Sequence, residues 1–179
     1  FTGKATYTAG STLPEIAEPA LSRDHTERLL PAMGARLRFL SGPGGGPRGV
    51  RVEPLAGGLE PMNLAVPGDP SAAAFFVVGA CITPGSDLVV EDVCLNPTRI
   101  GFVEVLRRMG ANVEVAVKEE RGGEPVGDIR AAYGPLVATT MAGAEIPGVI
   151  DEIPALAVAA AFAAGVSEVA DAAELRVKE

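Results

Sequence analysis

The chain has no tryptophan, one histidine (His25) and two cysteines, and only 4% of its 179 residues are aromatic. With so few large rings, an interior must be filled by Ala, Val and Leu. Hydrophobic residues make up 47% of the sequence, enough for a sizeable core. Cys81 and Cys94 are too few for a disulfide scaffold and sit among apolar residues, which fits a reducing compartment. No uninterrupted apolar run reaches the roughly 18 residues of a membrane-spanning helix, and no charged-then-apolar leader opens the chain. The expected location is therefore cytoplasmic. An excess of positive charge is also missing: 15 Lys and Arg face 23 Asp and Glu, a net charge of −8. That balance argues against general binding to nucleic acid or to an anionic membrane. It leaves open a phosphorylated small ligand held by a local Arg/Lys cluster. The length suits one domain or parts of two.

What is present is organised around residues 150–179. Ile150-Asp151-Glu152-Ile153-Pro154 leads into an alanine-rich block, 155–164, in which no position is polar. A helix apolar all round is expected to be buried on every side. Gly165 stops the block, a short β-like run with Val166 and Val169 follows, and the chain closes on Leu175-Arg176-Val177-Lys178-Glu179. Asp151, Lys178 and Glu179 thus flank a helix–strand unit, where desolvation makes charges costly unless they have a task.

The rest of the chain alternates the same parts. Residues 1–10 are weakly patterned, and Thr12 to Ile16 reads as a strand that Pro14 confines to an edge. Asp24 and Glu27 resemble a capping box for a helix carrying Leu29, Leu30 and Met33, ended by Gly34. Residues 35–40 and 50–55 read as a hairpin across a Gly/Pro turn. Asp69 and Pro70 suit a helix start, and 72–82 is again apolar on every side. A strand at 88–90 precedes an amphipathic helix expected to start at Asn96. Val113, Val115 and Val117 alternate as a strand, 122–127 reads as a turn, and 129–149 carries weak strand signals. Ser22-Arg23, Leu30 and Met33-Gly34-Ala35 recur as Thr98-Arg99, Leu106 and Met109-Gly110-Ala111, always 76 residues on. A repeat of this kind implies stacked supersecondary units.

Four segments, in this order, carry a resemblance: Ser22-Arg23-Asp24-His25-Thr26-Glu27, Gly68-Asp69-Pro70-Ser71, Leu95-Asn96-Pro97-Thr98-Arg99, and Asp151-Glu152-Ile153-Pro154 with the closing Arg176-Val177-Lys178-Glu179. On these the chain resembles the enolpyruvyl transferases over nearly all of 21–179, and among them the branch acting on shikimate 3-phosphate. The resemblance implies an α/β fold of repeated βαβαββ units with buried helices and outer sheets, an inside-out α/β barrel that is incomplete here. Residues 1–66 would be the end part of one domain and 67–179 the first part of the other. The implied reaction joins the enolpyruvyl group of phosphoenolpyruvate to the 5-hydroxyl of shikimate 3-phosphate, without cofactor or metal, in a protein that is a monomer at full length. The branch using UDP-N-acetylglucosamine, or a fragment without turnover, are the alternatives. Residues 1–10 and Pro31 depart from the family pattern.

The family's site residues carry over position by position. Glu179 matches the carboxylate that handles the methylene proton; composition alone reads it as a solvated glutamate. Lys178 matches a lysine on the shikimate side and a competing proton acceptor; alone it is a surface lysine. Asp151 matches the residue that binds the attacking hydroxyl; alone it is a helix cap, and a carboxylate stabilised by a helix dipole is a poor base at neutral pH. Ser22 and Arg23 match contacts to the shikimate phosphate, a role that a hydroxyl and a guanidinium beside a helix start can fill. His25 reads as solvated or structural rather than catalytic, and Asp69, Ser71 and Arg99 read as structural. The family's remaining cationic groups fall outside these 179 residues, so this segment alone is expected to be inactive.

Overall fold

Glycines at positive φ and prolines at helix starts punctuate the chain, and the regular elements fall between them. The computed structural model describes residues 15–18, 22–41, 47–55 and 57–177. Two compact units result: residues up to 65 together with 121–124, and 66–120 together with 125 onward. The readings made for residues 1–10, Thr12, Pro14, Lys178 and Glu179 lie outside the described residues.

In the first unit, β1 (Glu15–Ala17), β2 (Leu37–Ser41) and β3 (Pro47–Val52) form an antiparallel sheet in the order β1-β3-β2. A Cβ on Gly49 would lie 2.3 Å from the Ile16 carbonyl oxygen, so glycine is what lets β1 and β3 approach. The helix α1 (His25–Ala32) has Asp24 at its N-cap, but the expected capping box does not form. The Asp24 carboxylate instead pairs with Arg28 at 2.9 Å, one turn along the same helix. Pro31 sits in the last turn of α1, where its missing N–H removes one bond and little follows it.

The second unit contains α2 (Pro70–Ile82), β4 (Asp87–Cys94), α3 (Gly101–Arg108), all but the last residue of β5 (Asn112–Arg121), all but the first of β6 (Glu124–Ala132), β7 (Thr140–Met141), α4 (Ile146–Val149), α5 (Ile153–Ala161) and β8 (Glu168–Val169). The main sheet has the order β4-β6-β5, with β4 and β6 antiparallel. Gly68 bridges Val93 in parallel, so 68–132 runs strand position, α2, β4, α3, β5, β6: one βαβαββ unit. A next unit begins with β7 and β8, which are parallel and joined through α4 and α5.

The 76-residue repeat survives down to single hydrogen bonds. After α1, Gly34 (φ 88°) and Ala35 donate to the carbonyls of Pro31 and Leu30; after α3, Gly110 (φ 86°) and Ala111 donate to those of Arg107 and Leu106. Both are αL helix ends that glycine favours.

Three expectations need correction. The amphipathic helix starts at Gly101 rather than Asn96. Asn96 is wholly buried, and its Oδ1 accepts the N–H and hydroxyl of Thr98 at 2.8 Å each, an Asx turn that competes with helix. The turn at 122–127 shrinks to Gly122-Gly123, both at positive φ, and β6 already runs from Glu124. Gly127 belongs to that strand, paired with Val93, and the position requires glycine because a Cβ there would meet the Ala116 carbonyl oxygen at 2.0 Å. Part of 129–149 is helical rather than extended: a 3-10 turn at Gly143–Glu145 leads into α4.

The core lies where α2, α3 and α5 face the main sheet, around Val77, Phe102, Leu106, Met109, Ile129 and Leu156. Truncating one such side chain to alanine costs about 2–5 kcal/mol. The two all-apolar helices are not buried on every side, however. In α2, Phe75 and Phe76 are 61% and 62% exposed, and Phe162, the C-cap of α5, is 63% exposed. Their opposite faces are filled by Ala73, Val77, Cys81, Leu156 and Ala159, and among the described residues nothing covers the phenylalanines. No helix among the described residues is long and apolar enough to cross a membrane.

Burial pushes the Cys81 thiol up from its ordinary range, so the reactive thiolate is disfavoured in the folded chain. Maleimide at pH 8, followed by peptide mass mapping, should label Cys81 slowly in native protein and fast in denaturant. Equal labelling in both would place Cys81 outside the core.

Candidate functional site

Asp151 sits between two helices that proline starts. Pro147 opens α4, Pro154 opens α5, and the backbone turns between them, the Glu152 N–H donating to the Val149 carbonyl at 2.9 Å. Ile150, Glu152 and Ile153 are buried around it while Asp151 itself is half-buried. The N-cap of α5 is Glu152, without a side-chain cap bond, so the reading of Asp151 as a helix cap does not hold. Asp151 lies one residue outside that cap.

The close approach of α3 to α4 sets the height of this turn. A Cβ on Gly101 would lie 2.7 Å from the Gly148 carbonyl oxygen and 2.9 Å from Val149 Cγ1, so only glycine admits this packing.

Beneath the turn, three helix-leading segments meet through polar side chains. Asp69 Oδ1 accepts the Ser71 N–H at 3.1 Å, capping α2 as its sequence predicts. Arg99 Nη2 donates to Asp69 Oδ1 at 3.0 Å and to Ser71 Oγ at 2.8 Å. The Ser71 hydroxyl in turn donates to Glu152 Oε1 at 2.5 Å. Glu152 is 3% exposed, one of two buried polar or charged residues among those described, the other being Asn96. Sequence reading took Asp69, Ser71 and Arg99 as structural and gave Glu152 no role. A glutamate just ahead of Ile-Pro at an apolar helix was the available signal.

Beside the N-terminal end of α5 is a groove of about 510 Å³ walled by Ile153, Val169, Asp171, Leu175 and Arg176. Ile153 is two residues beyond Asp151, and Arg176 is two residues before Lys178. Asp171, at φ 60°, accepts the Gly143 N–H at 3.1 Å and so ties the groove rim to the segment leading into α4. Lys178 and Glu179 lie outside the described residues.

Ser22 and Arg23 belong to the first unit, ahead of α1; Asp151 belongs to the second. The Ser22 hydroxyl and backbone N–H both donate to the Glu18 carboxylate, at 2.9 and 3.2 Å. A hydroxyl and an amide converging on one anionic group is an arrangement suited to an anion, here supplied by the chain itself. Arg23 is exposed. His25, read as solvated or structural, pairs through Nδ1 with Glu124 at 2.6 Å, beside the Arg28–Asp24 ion pair.

Residues 4–179 match the family described as EPSP synthase (3-phosphoshikimate 1-carboxyvinyltransferase). The 3-phosphoshikimate 1-carboxyvinyltransferases of Desulforamulus reducens and Prochlorococcus marinus are 48% and 51% identical, each over 92% of this chain. The chain covers 37% and 36% of those two proteins, so it spans little more than a third of the length of the curated relatives it matches. Among solved structures, EPSP synthase from Acinetobacter baumannii superimposes with a TM-score of 0.83 at 42% identity, over 93% of this chain and 36% of that one. The enolpyruvyl transferase NikO from Streptomyces tendae, at 19% identity and a TM-score of 0.62, shares the fold.

Proposed function

The chain belongs to the EPSP synthase (3-phosphoshikimate 1-carboxyvinyltransferase) family, and from that premise we propose that it serves the transfer of the enolpyruvyl group of phosphoenolpyruvate to the 5-hydroxyl of shikimate 3-phosphate. The observation that supports this most is the half-buried Asp151 in the turn between α4 and α5, two residues before Ile153 in the wall of a groove that Arg176 also lines.

In this reading Glu179 donates a proton to the methylene carbon of phosphoenolpyruvate. Positive charge develops on the adjacent carbon, and the 5-hydroxyl of shikimate 3-phosphate attacks it, forming a C–O bond. Asp151 accepts a hydrogen bond from that hydroxyl and aims it, and Lys178 or Asp151 takes up its proton. The tetrahedral adduct then expels phosphate while the methyl group returns a proton to Glu179, leaving the enol ether and inorganic phosphate. Proton transfer of this kind contributes about 10²- to 10⁴-fold. Ser22 and Arg23 hold the shikimate phosphate, the substrate taking the place at Ser22 that Glu18 fills in the free chain. No cofactor is required. Residues 1–66 are the end part of one domain and 67–179 the first part of another, in a full-length protein that works as a monomer.

Phosphate release from phosphoenolpyruvate and shikimate 3-phosphate tests the reading. The full-length protein should turn over near the ordinary enzyme range, about 1 per second or faster. The 179-residue segment alone should show none. A full-length protein that accepts UDP-N-acetylglucosamine in place of shikimate 3-phosphate would refute the substrate assignment.

A further inference from the structure

Glu152 is a carboxylate with 3% of its surface exposed, immediately beside the turn residue that the proposed chemistry uses. Such burial is unfavourable unless the group is held by good partners. Its side-chain partner here is Ser71, 81 residues earlier in the chain, on the first turn of α2. A serine hydroxyl has one proton to give. It gives that proton to Glu152 and accepts from Arg99, which is simultaneously anchored on Asp69. The directions of the bonds are therefore fixed as Arg99 to Ser71 to Glu152, with no alternative that satisfies all three groups.

We infer that Glu152, held by Ser71 and Arg99, is a positioning residue that fixes the backbone of the 149–152 turn and with it the direction of the Asp151 carboxylate. The mechanical argument has two parts. Apolar packing of Ile150 and Ile153 restrains the turn against translation but supplies no directional contact. The Ser71 bond supplies one, because Glu152 follows Asp151 directly and cannot pivot about its own backbone without breaking it. The Gly101–Gly148 approach closes the other side, leaving the turn no room to retreat. A half-exposed carboxylate on an unrestrained turn would sample several directions, and displacement of a reacting group by about 1 Å can lower a rate by roughly 10²-fold.

The inference rests on the proposed role of Asp151, and the experiment separates the two. Full-length Ser71→Ala, Ser71→Thr and Asp151→Asn are compared by kcat, KM and thermal midpoint. Ser71→Ala should lose roughly 10- to 100-fold in kcat with the KM of phosphoenolpyruvate little changed, and Ser71→Thr, which keeps the hydroxyl, should recover most of the rate. Should Ser71→Ala fold poorly, Ser71→Cys, close in size but a weak donor, should show the same loss in kcat in folded protein. Full kcat in folded Ser71→Ala or Ser71→Cys, or a Ser71→Thr as slow as Ser71→Ala, overturns the positioning role while leaving the role of Asp151 intact. Full kcat in Asp151→Asn overturns the role of Asp151 itself, and the positioning inference with it.

Discussion

Glu179→Gln in the full-length protein is expected to lower the chemical step by roughly 10²- to 10⁴-fold, the usual contribution of a positioned acid–base group. Glutamine keeps the size of the side chain and an acceptor oxygen but has no proton to lend at neutral pH. Calorimetric binding of shikimate 3-phosphate should therefore be nearly intact. The decisive readout is incorporation of solvent deuterium into the methylene of phosphoenolpyruvate, which reports protonation and its reversal at carbon without requiring net turnover. Glu179→Gln should suppress this exchange together with turnover. Exchange at the unmodified rate would remove Glu179 from proton transfer and reduce it to a contact.

Asp151 should fail differently, and here the structure changes the expectation. Read as a helix cap, Asp151→Ala would lose about 1 kcal/mol of stability, and Asp151→Asn would keep it. Glu152 occupies the cap instead, so neither substitution removes a cap, and both should leave the thermal midpoint little changed. The rate should still fall. A hydrogen bond to a charged group contributes about 1.5–3 kcal/mol, so losing it in Asp151→Ala corresponds to roughly 10- to 100-fold, with weaker binding of shikimate 3-phosphate. Asparagine can still accept a neutral hydrogen bond, so Asp151→Asn should bind better than Asp151→Ala yet remain slow. Phosphate release and calorimetry on the same preparations check this. An unchanged rate in Asp151→Asn would make the charge dispensable and leave Lys178 as the proton acceptor. A large drop in the midpoint of both variants would mean that Asp151 braces the turn rather than serving the substrate.

These variants belong in full-length protein for a structural reason. Phe75, Phe76 and Phe162 stand more than half exposed on helices that have no polar face. The chain covers little more than a third of its curated relatives. An apolar face of that kind is an aggregation liability in isolation, and activity lost by the segment could otherwise be mistaken for activity lost by the site.

Much was legible in the sequence because its signals are local. Glycine at the αL end of a helix is a choice made within one turn, so Gly34 and Gly110 marked matching helix ends and exposed the 76-residue repeat. Asp69-Pro70 marked the start of α2 because the capping oxygen and the N–H it receives are two residues apart. The motifs at Ser22-Arg23, Asp151 and Lys178-Glu179 named the family for the same reason, since each is read without knowing what lies across from it. Capping failed where a competing local bond intervened. Asp24 turned to Arg28, and Asn96 closed an Asx turn on Thr98 ahead of the helix.

The sequence by itself determined the alternation of helices and strands, the repeat, the apolar character of α2 and α5, and the residues with chemistry to offer. Only the tertiary structure decided which face of each apolar helix is covered, that Gly127 and Gly101 are demanded by backbone passing within 3 Å, and that Ser71 donates a hydrogen bond to Glu152 across 81 residues. Periodicity and caps are set by groups within about four residues of each other. Burial, close approach and the direction of a hydrogen bond are set by whatever the fold brings opposite, and no local pattern records that.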